Sequence, residues 1–143
     1  MYLKYKEKYT LKERIDKCNT ILRQTNYSFC PIILEKASDC TLNPDQVDKL
    51  CSEYLLPHDY TLKSFYFHIS NKIIGLKKNI DYFSLYVNDC NCITPYLQSQ
   101  YPTIKDLSKT FADKDDGFLY ITYTNTRDAE NYYQEEHLKK GMQ

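Results

Sequence analysis

The sequence lacks three features by which whole classes of proteins are recognised. It has no net charge, because 19 basic residues balance 19 acidic ones, so no overall field draws the chain onto nucleic acid or anionic lipid. It has no long apolar run: the longest, at residues 31–34 and 118–120, are far below the roughly 20 residues of a membrane-spanning helix. It opens with no hydrophobic signal segment, which predicts a protein of the cytoplasm.

Histidine is also scarce, and this bears on catalytic and metal sites. The histidines His58, His68 and His137 are scattered, and Cys90 and Cys92 are too close together to form half of a zinc knuckle. In a chain without a secretory signal, the six cysteines are interpreted as reduced, buried thiols. We therefore expect no metal, no cofactor and no enzymatic activity, whereas a thiol of low pKa would support an enzyme.

What is present fits a single domain, since 143 residues lie within the usual domain size of about 100 to 150. Apolar residues recur at helical spacing over residues 2–24, and a capping box at Thr10 and Glu13 divides this stretch into two helices. Their basic face is either solvated or functional. Composition then predicts strands over 30–36, 51–56, 81–87 and 118–124, and helices over 61–74, ending at Gly75, and 103–111.

The order of these elements predicts the fold class. Two strands followed at once by a helix, and completed much later by a strand that must run through the middle of the sheet, form the β-grasp pattern. We predict an α+β, ubiquitin-like β-grasp fold with two additional N-terminal helices. The domain would comprise residues 1–125, with a helical subdomain over about 1–26, and residues 126–143 would form a polar C-terminal tail, either mobile or helical.

Several short segments, taken in order, resemble the GABARAP-type autophagy modifiers, which are ubiquitin-like β-grasp domains with two extra N-terminal helices. The resemblance covers roughly residues 3–125. No single segment is specific, but the ordered set is. It comprises residues 4–7, Arg14, Ile21, and residues 31–37, 54–57, 65–67, 87–88 and 118–123.

The resemblance implies a groove for short peptides that carry an aromatic residue, two spacers and an aliphatic residue. Such a peptide would add a strand to the sheet edge at residues 51–55. The aromatic pocket would be lined by Ile21, Pro31, Leu55 and Phe118, with Lys17 and Glu53 at its rim. The aliphatic pocket would be lined by Tyr54, Leu56, Pro57, Tyr60, Phe65 and Ile69, although a purely structural role is an equal alternative for Phe65 and Ile69.

The rim departs from the family in the sign of its charges. The family has an acid at the helix position and a lysine at the strand position, whereas here these are Lys17 and Glu53. This exchange predicts an ion pair across the pocket mouth. It also predicts a changed preference for the charges that flank the aromatic anchor of a ligand.

The resemblance further implies that the C-terminus is attached to a lipid. A cysteine protease would expose a glycine, and activating and conjugating enzymes would transfer it to phosphatidylethanolamine, which places the protein on autophagosomal or vacuolar membranes. Gly141 is the candidate. It departs from the family pattern, because Lys140 rather than an aromatic residue precedes it and the spacer after the last strand is longer. An autoinhibitory or vestigial tail is the alternative.

Other functions remain open at this stage. The nearest is an unconjugated module with the same groove, and another is a modifier that is attached to proteins. A nucleic-acid-binding function would use a basic set near the N-terminus and would show steep salt dependence. That set comprises Lys4, Lys6, Lys8, Lys12, Arg14 and Lys17, and in the family the same region is associated with tubulin or membrane contacts. We expect a monomer that binds cargo receptors and adaptors, and no nucleic acid.

Overall fold

The computed structural model describes residues 4–41, 53–76, 83–88, 91–93 and 95–127. They form five helices and five strands within these ranges. The helices are α1 (Tyr5–Lys8), α2 (Leu11–Gln24), α3 (Leu62–Leu76), α4 (Pro95–Gln100) and α5 (Ile104–Phe111). The strands are β1 (Phe29–Lys36), β2 (Glu53–Pro57), β3 (Ser84–Val87), β4 (Asn91–Cys92) and β5 (Leu119–Thr124).

Side-chain caps set the starts of three helices. The predicted capping box is present at the start of α2, where Thr10 accepts a hydrogen bond from the Glu13 amide and the Glu13 side chain accepts one from the Thr10 amide. Thr103 and Asp106 form a second capping box at the start of α5. At α3, Thr61 Oγ1 accepts from the Ser64 amide at 3.1 Å. The break between α1 and α2 is therefore confirmed.

The sheet has the strand order β2-β1-β5-β3-β4. β1 and β5 are parallel, whereas β2 is antiparallel to β1 and β3 is antiparallel to β5. The last strand in the sequence therefore runs through the middle of the sheet and β2 lies at its edge, as the β-grasp prediction requires. The turn that leads into β5 ends at Gly117, whose φ of +90° favours glycine. A Cβ at this position would also lie 3.0 Å from Sγ of Cys18.

Successive side chains of a strand lie on opposite faces of the sheet. Helices cover both faces, so both are buried. The first core lies on the face covered by α3 and α5 and contains aliphatic residues of β1, β3 and β5, such as Ile32, Leu85 and Ile121. The second core lies on the face covered by α1 and α2. It consists of Tyr5, Cys18, Ile33, Phe118 and Tyr120.

The structure differs from the sequence prediction in several places. Helix α3 passes through Gly75 to Leu76, and β5 begins at Leu119 rather than at Phe118. The strand predicted over 81–87 is present as Ser84–Val87, with residues 81 and 82 outside the described ranges. β4 and α4 were not predicted, because two and six residues carry too little periodic signal. No helix in the described ranges is both long and apolar enough to cross a membrane.

Candidate functional site

The candidate site is the edge of the sheet formed by β2. Within the described residues, β2 pairs with β1 alone, so its other side offers backbone N–H and C=O groups in the direction in which a further strand would lie. An extended peptide can bind such an edge through main-chain hydrogen bonds. The edge lies between two layers of helices, because α2 packs on one face of the sheet and α3 on the other.

Alternate residues of β2 belong to different faces. Tyr54 and Leu56 are partly buried against the first core, next to α3. Leu55 lies opposite Pro31 of β1 and is 45% exposed, which is high for a leucine within a sheet. A strand added at this edge would therefore meet Leu55 on one face and Tyr54 and Leu56 on the other.

The rim residues Lys17 and Glu53 form the ion pair that their sequence pattern predicts. Lys17 Nζ lies 2.5 Å from Oε1 of Glu53, and both side chains are partly exposed. The hydrogen bond to Glu53 is the main cause of a raised Lys17 pKa. The same ammonium lies 5.2 Å from the ring centre of Tyr9 and 5.7 Å from that of Tyr5. The pair thus links α2 to the edge strand beside an aromatic cluster.

Phe118 forms the floor of this region rather than its surface. Its side chain is completely buried, and its ring centre lies 5.4 Å from that of Tyr5 in an edge-to-face arrangement. Ile21 is partly buried against the same cluster, and Pro31 is buried. Of the six residues predicted for the aromatic pocket, Lys17, Glu53 and Leu55 are accessible, and Ile21 is partly so.

Tyr5 belongs to this region and was not predicted as a site residue. It is 8% exposed and packs against Tyr9, Phe118 and Tyr120. Burial raises the pKa of its hydroxyl to about 12, and the charge of Glu53 adds to this rise while Lys17 opposes it. The four-residue helix that carries Tyr5 is too short for periodicity to identify its buried face, so only long-range packing places this ring beside the pocket.

Polar contacts hold α1 in place over the second core. The Tyr5 amide donates to Oε2 of the buried carboxylate of Glu35 at 2.6 Å, and Lys6 pairs with Asp113 at 2.6 Å. Burial raises the pKa of Glu35, against an opposing effect of the Tyr5 amide. The side chain of Asp116 accepts from the Phe118 amide at 2.8 Å and from the Tyr120 hydroxyl at 2.6 Å. This network fixes the aromatic floor between the helices and β5.

The residues predicted for the aliphatic pocket divide into core and rim. Phe65 and Ile69 are 1% and 0% exposed and belong to the first core, so in this conformation they support the site from beneath. Tyr54, Leu56 and Tyr60 are partly buried against them, and Pro57 ends β2. The ring of Tyr54 lies edge-on to Phe65 at 5.8 Å. Lys72 Nζ lies 5.8 Å from the Tyr54 ring centre and adds a charge that the sequence pattern did not reveal.

The thiols in the described ranges are poorly suited to nucleophilic chemistry. Cys18, Cys30, Cys40 and Cys92 are buried and free of disulfides, and burial raises the pKa of Cys18 to about 11 and that of Cys92 to about 12. The pKa of Cys30 is raised for the same reason. The described residues contain no group of three or more metal-ligating side chains. Cys51, Cys90 and Gly141 lie outside the described residues.

The chain was compared with families of known proteins and with solved structures. A family whose description reads "Autophagy protein Atg8 ubiquitin like" matches residues 13–130. The crystal structure of ATG8 from Trypanosoma brucei matches with a TM-score of 0.61 and 24% sequence identity, over 87% of this chain and 95% of that chain. At this identity the structural match supports the fold alone. No match was found among curated proteins.

Proposed function

Because the chain belongs to the ATG8 family of ubiquitin-like autophagy proteins, we propose that it is a modifier with two activities. It binds short aromatic-x-x-aliphatic motifs of cargo receptors and adaptors at the β2 edge. It is also conjugated through Gly141 to phosphatidylethanolamine. Within the family, the residues named in the sequence analysis favour the GABARAP-type group. The protein acts as a binding and carrier module rather than as an enzyme.

The observation that carries the binding proposal is the construction of the β2 edge. Leu55 is 45% exposed on one face, while Tyr54 and Leu56 are half-buried on the other. A bound strand would place successive side chains on alternate faces, so its aromatic and aliphatic anchors would meet these two surfaces. Burying one anchor yields about 1.5 to 3 kcal/mol. Two anchors and several main-chain bonds, reduced by the cost of association, correspond to micromolar affinity.

Binding can be tested with a synthetic peptide that contains one tryptophan followed at the third position by leucine. Calorimetry should give a micromolar Kd, and replacing both anchors by alanine should abolish binding. We expect Leu55→Asp to weaken binding at least about tenfold, because a desolvated carboxylate would face the aromatic anchor. Wild-type affinity in Leu55→Asp would contradict the proposed site.

Phe67 provides the matched control for this variant. Its exposed fraction, 50%, is similar to the 45% of Leu55. It lies two residues after the buried Phe65, which places the two side chains about 200° apart around helix α3. Phe67→Asp thus adds the same charge on the side of the helix away from the sheet. It should bind the peptide like the wild type, whereas equal weakening by both variants would indicate a nonspecific charge effect.

The conjugation proposal rests on family membership and on Gly141 near the C-terminus. The partners would be the processing cysteine protease and the activating and conjugating enzymes of the pathway. Conjugation would move the protein from the cytoplasm to autophagosomal or vacuolar membranes. Intact mass spectrometry after incubation with these enzymes and phosphatidylethanolamine vesicles should show loss of Met142 and Gln143, followed by a lipid-sized gain. Gly141→Ala should abolish both changes.

The alternative is an unconjugated module with the same groove. An unchanged mass in the presence of enzymes that process a known substrate would favour that alternative. The peptide-binding experiment is independent of this outcome, because it uses the β2 edge and not the C-terminus.

A further inference from the structure

Three consecutive residues after β5 are bonded to the segment that follows β1. Since β1 and β5 are parallel neighbours, both chain segments leave the sheet at the same end. There, Asn125, Thr126 and Arg127 contact Asp39 and Thr41. We name this set the C-terminal clasp. It holds the last described residues of the chain, which precede Gly141 in the sequence.

The centre of the clasp is the carboxylate of Asp39. Arg127 binds it with two nitrogens, Nε at 2.7 Å from Oδ2 and Nη2 at 3.1 Å from Oδ1, which is the paired geometry that a guanidinium and a carboxylate favour. The Thr126 hydroxyl donates to the same Oδ2 at 2.9 Å. Partial burial acts to raise the Asp39 pKa, but these hydrogen bonds outweigh it, so the pKa is lowered. The carboxylate is thus charged and bonded at neutral pH.

Two further residue pairs belong to the clasp: Asn125 with Thr41, and Arg127 with Tyr86. Asn125 Oδ1 accepts from the Thr41 amide at 2.9 Å, while its Nδ2 donates to the Thr41 hydroxyl at 2.9 Å. The guanidinium carbon of Arg127 lies 4.4 Å from the ring centre of Tyr86 on β3, which is a cation–π distance. The clasp therefore joins the segments that follow β1 and β5 to a ring of β3, and does not rest on one exposed ion pair.

We propose that the clasp is a positioning element for C-terminal processing: the enzyme that cuts after Gly141 recognises the domain together with the fixed exit of the tail. This inference rests on the proposed function. Asp39 and Arg127 act as positioning residues, because they lie far along the chain from the scissile bond. Gly141 follows Arg127 by 14 residues.

The length of the tail separates this proposal from a simple tether. If residues 125–127 were released, the last residue held by the domain among those described would change from Arg127 to Thr124, which precedes Gly141 by 17 rather than 14 residues. For a flexible tether, the effective concentration of the cleavage site falls with about the 3/2 power of length, so release alone would change KM by only about 1.3-fold. A larger change in KM would mean that the enzyme binds the clasped conformation.

The test measures cleavage after Gly141 by the pathway's cysteine protease from the same organism, with KM and kcat determined separately. The variants are Asp39→Asn, Arg127→Met and the exchanged pair Asp39→Arg with Arg127→Asp. Lys114→Met is the control, because Lys114 is exposed, carries the same charge as Arg127 and belongs neither to the clasp nor to the proposed groove. Hydrogen exchange at the Thr41 amide, which donates to Asn125 Oδ1, reports directly whether the clasp has opened.

We expect both single variants to raise KM about three- to fivefold at unchanged kcat, since the clasped state becomes only partly populated. The exchanged pair should recover part of this loss, and Lys114→Met should behave like the wild type. If the wild type is cut and the clasp variants stay within about 1.5-fold of it, near the tether limit, the inference is wrong while the proposed function stands. An equal loss in Lys114→Met would also overturn the inference. An uncut wild type would overturn both this inference and the proposed conjugation through Gly141, and would leave the proposed peptide binding untouched.

Discussion

The two faces of the sheet are built from different chemistry. The first core is mainly aliphatic and continuous from β1 through β5 to β3, under α3 and α5. The second core is smaller and largely aromatic, and the charged side chains of Arg14, Glu35 and Asp116 are buried around it. Burying apolar area stabilises without directional requirements, whereas buried polar groups stabilise only in one geometry. The first face therefore provides most of the stability, and the second holds specific contacts beside the proposed aromatic pocket.

The largest effect should come from the first core. Phe65→Ala removes a ring that is 1% exposed and should lower the free energy of unfolding by about 3 to 5 kcal/mol, because it loses burial and leaves a cavity. Urea unfolding measures this loss. Phe67→Ala removes a half-exposed ring from the same helix and should cost far less. Equal costs would mean that α3 does not present Phe65 to the core.

In the second core, we expect the loss of a single carboxylate, that of Asp116, to lower the free energy of unfolding by a comparable amount. Asp116→Ala leaves the Phe118 amide and the Tyr120 hydroxyl without their acceptor and removes the charge that lies 3.5 Å from Nε of Arg14. We expect a loss of about 2 to 4 kcal/mol in urea unfolding. Asp115→Ala changes an exposed neighbour in the same turn and serves as the control. A small loss in Asp116→Ala would show that the second face tolerates unpaired polar groups.

The stabilities contributed by two carboxylates, Glu35 beside the second core and Asp39 in the clasp, should respond to pH with opposite signs. Burial raises the pKa of Glu35, so the folded state binds its proton more tightly and its contribution to stability declines as pH rises through the folded pKa. The pKa of Asp39 is lowered because its hydrogen bonds outweigh desolvation. Its contribution is present above the ordinary aspartate pKa and is lost as pH falls through the folded value.

Each pH dependence should disappear with its own carboxylate. Glu35→Gln should remove a loss of stability that develops as the pH rises above about 4.3, and Asp39→Asn should remove a loss that develops below about 4. Urea unfolding at closely spaced pH values between about 3 and 7 covers both windows. If either variant keeps the wild-type pH profile, the assignment of that window to its carboxylate is wrong.

The smallest predicted effect concerns the charges at the rim of the proposed pocket. Lys17 and Glu53 are 38% and 42% exposed, and such pairs contribute about 0 to 1 kcal/mol. Exchanging them, Lys17→Glu with Glu53→Lys, should leave stability nearly unchanged. It should shift the preference between peptides with acidic and basic flanks beside the aromatic anchor by about two- to fivefold in Kd. Identical affinities for both peptides in both proteins would exclude the rim as a selectivity element.

The elements with strong local signals could be predicted from the sequence. Thr10 with Glu13, the long apolar face of α3 and the aromatic and β-branched run of β5 each depend on residues that are close in sequence. Their order was sufficient for the β-grasp topology, because a late strand after a covering helix has few places in the sheet. β4, α4 and the role of Tyr5 were missed, since short elements have too few residues for a periodic pattern.

The site could be predicted only in part. The ion pair of Lys17 with Glu53 was predicted from their opposite charges and is present. The groove at the β2 edge is implied by the resemblance and stays a prediction. The sequence did not show whether Phe65, Ile69 and Phe118 are exposed, because apolar residues line a binding pocket and fill a core alike. The structure places all three in the interior.

By itself, the sequence determined where the capped helices α2, α3 and α5 begin and that the late strand β5 lies in the middle of the sheet, because capping and composition are local properties of the chain. Only the tertiary structure decided which side chains meet. Asp39 and Arg127 are far apart in sequence, as are Glu35 and Tyr5, and no local pattern marks them as partners. They come together because the parallel pairing of β1 with β5 and the docking of α1 bring distant segments to the same end or face of the sheet.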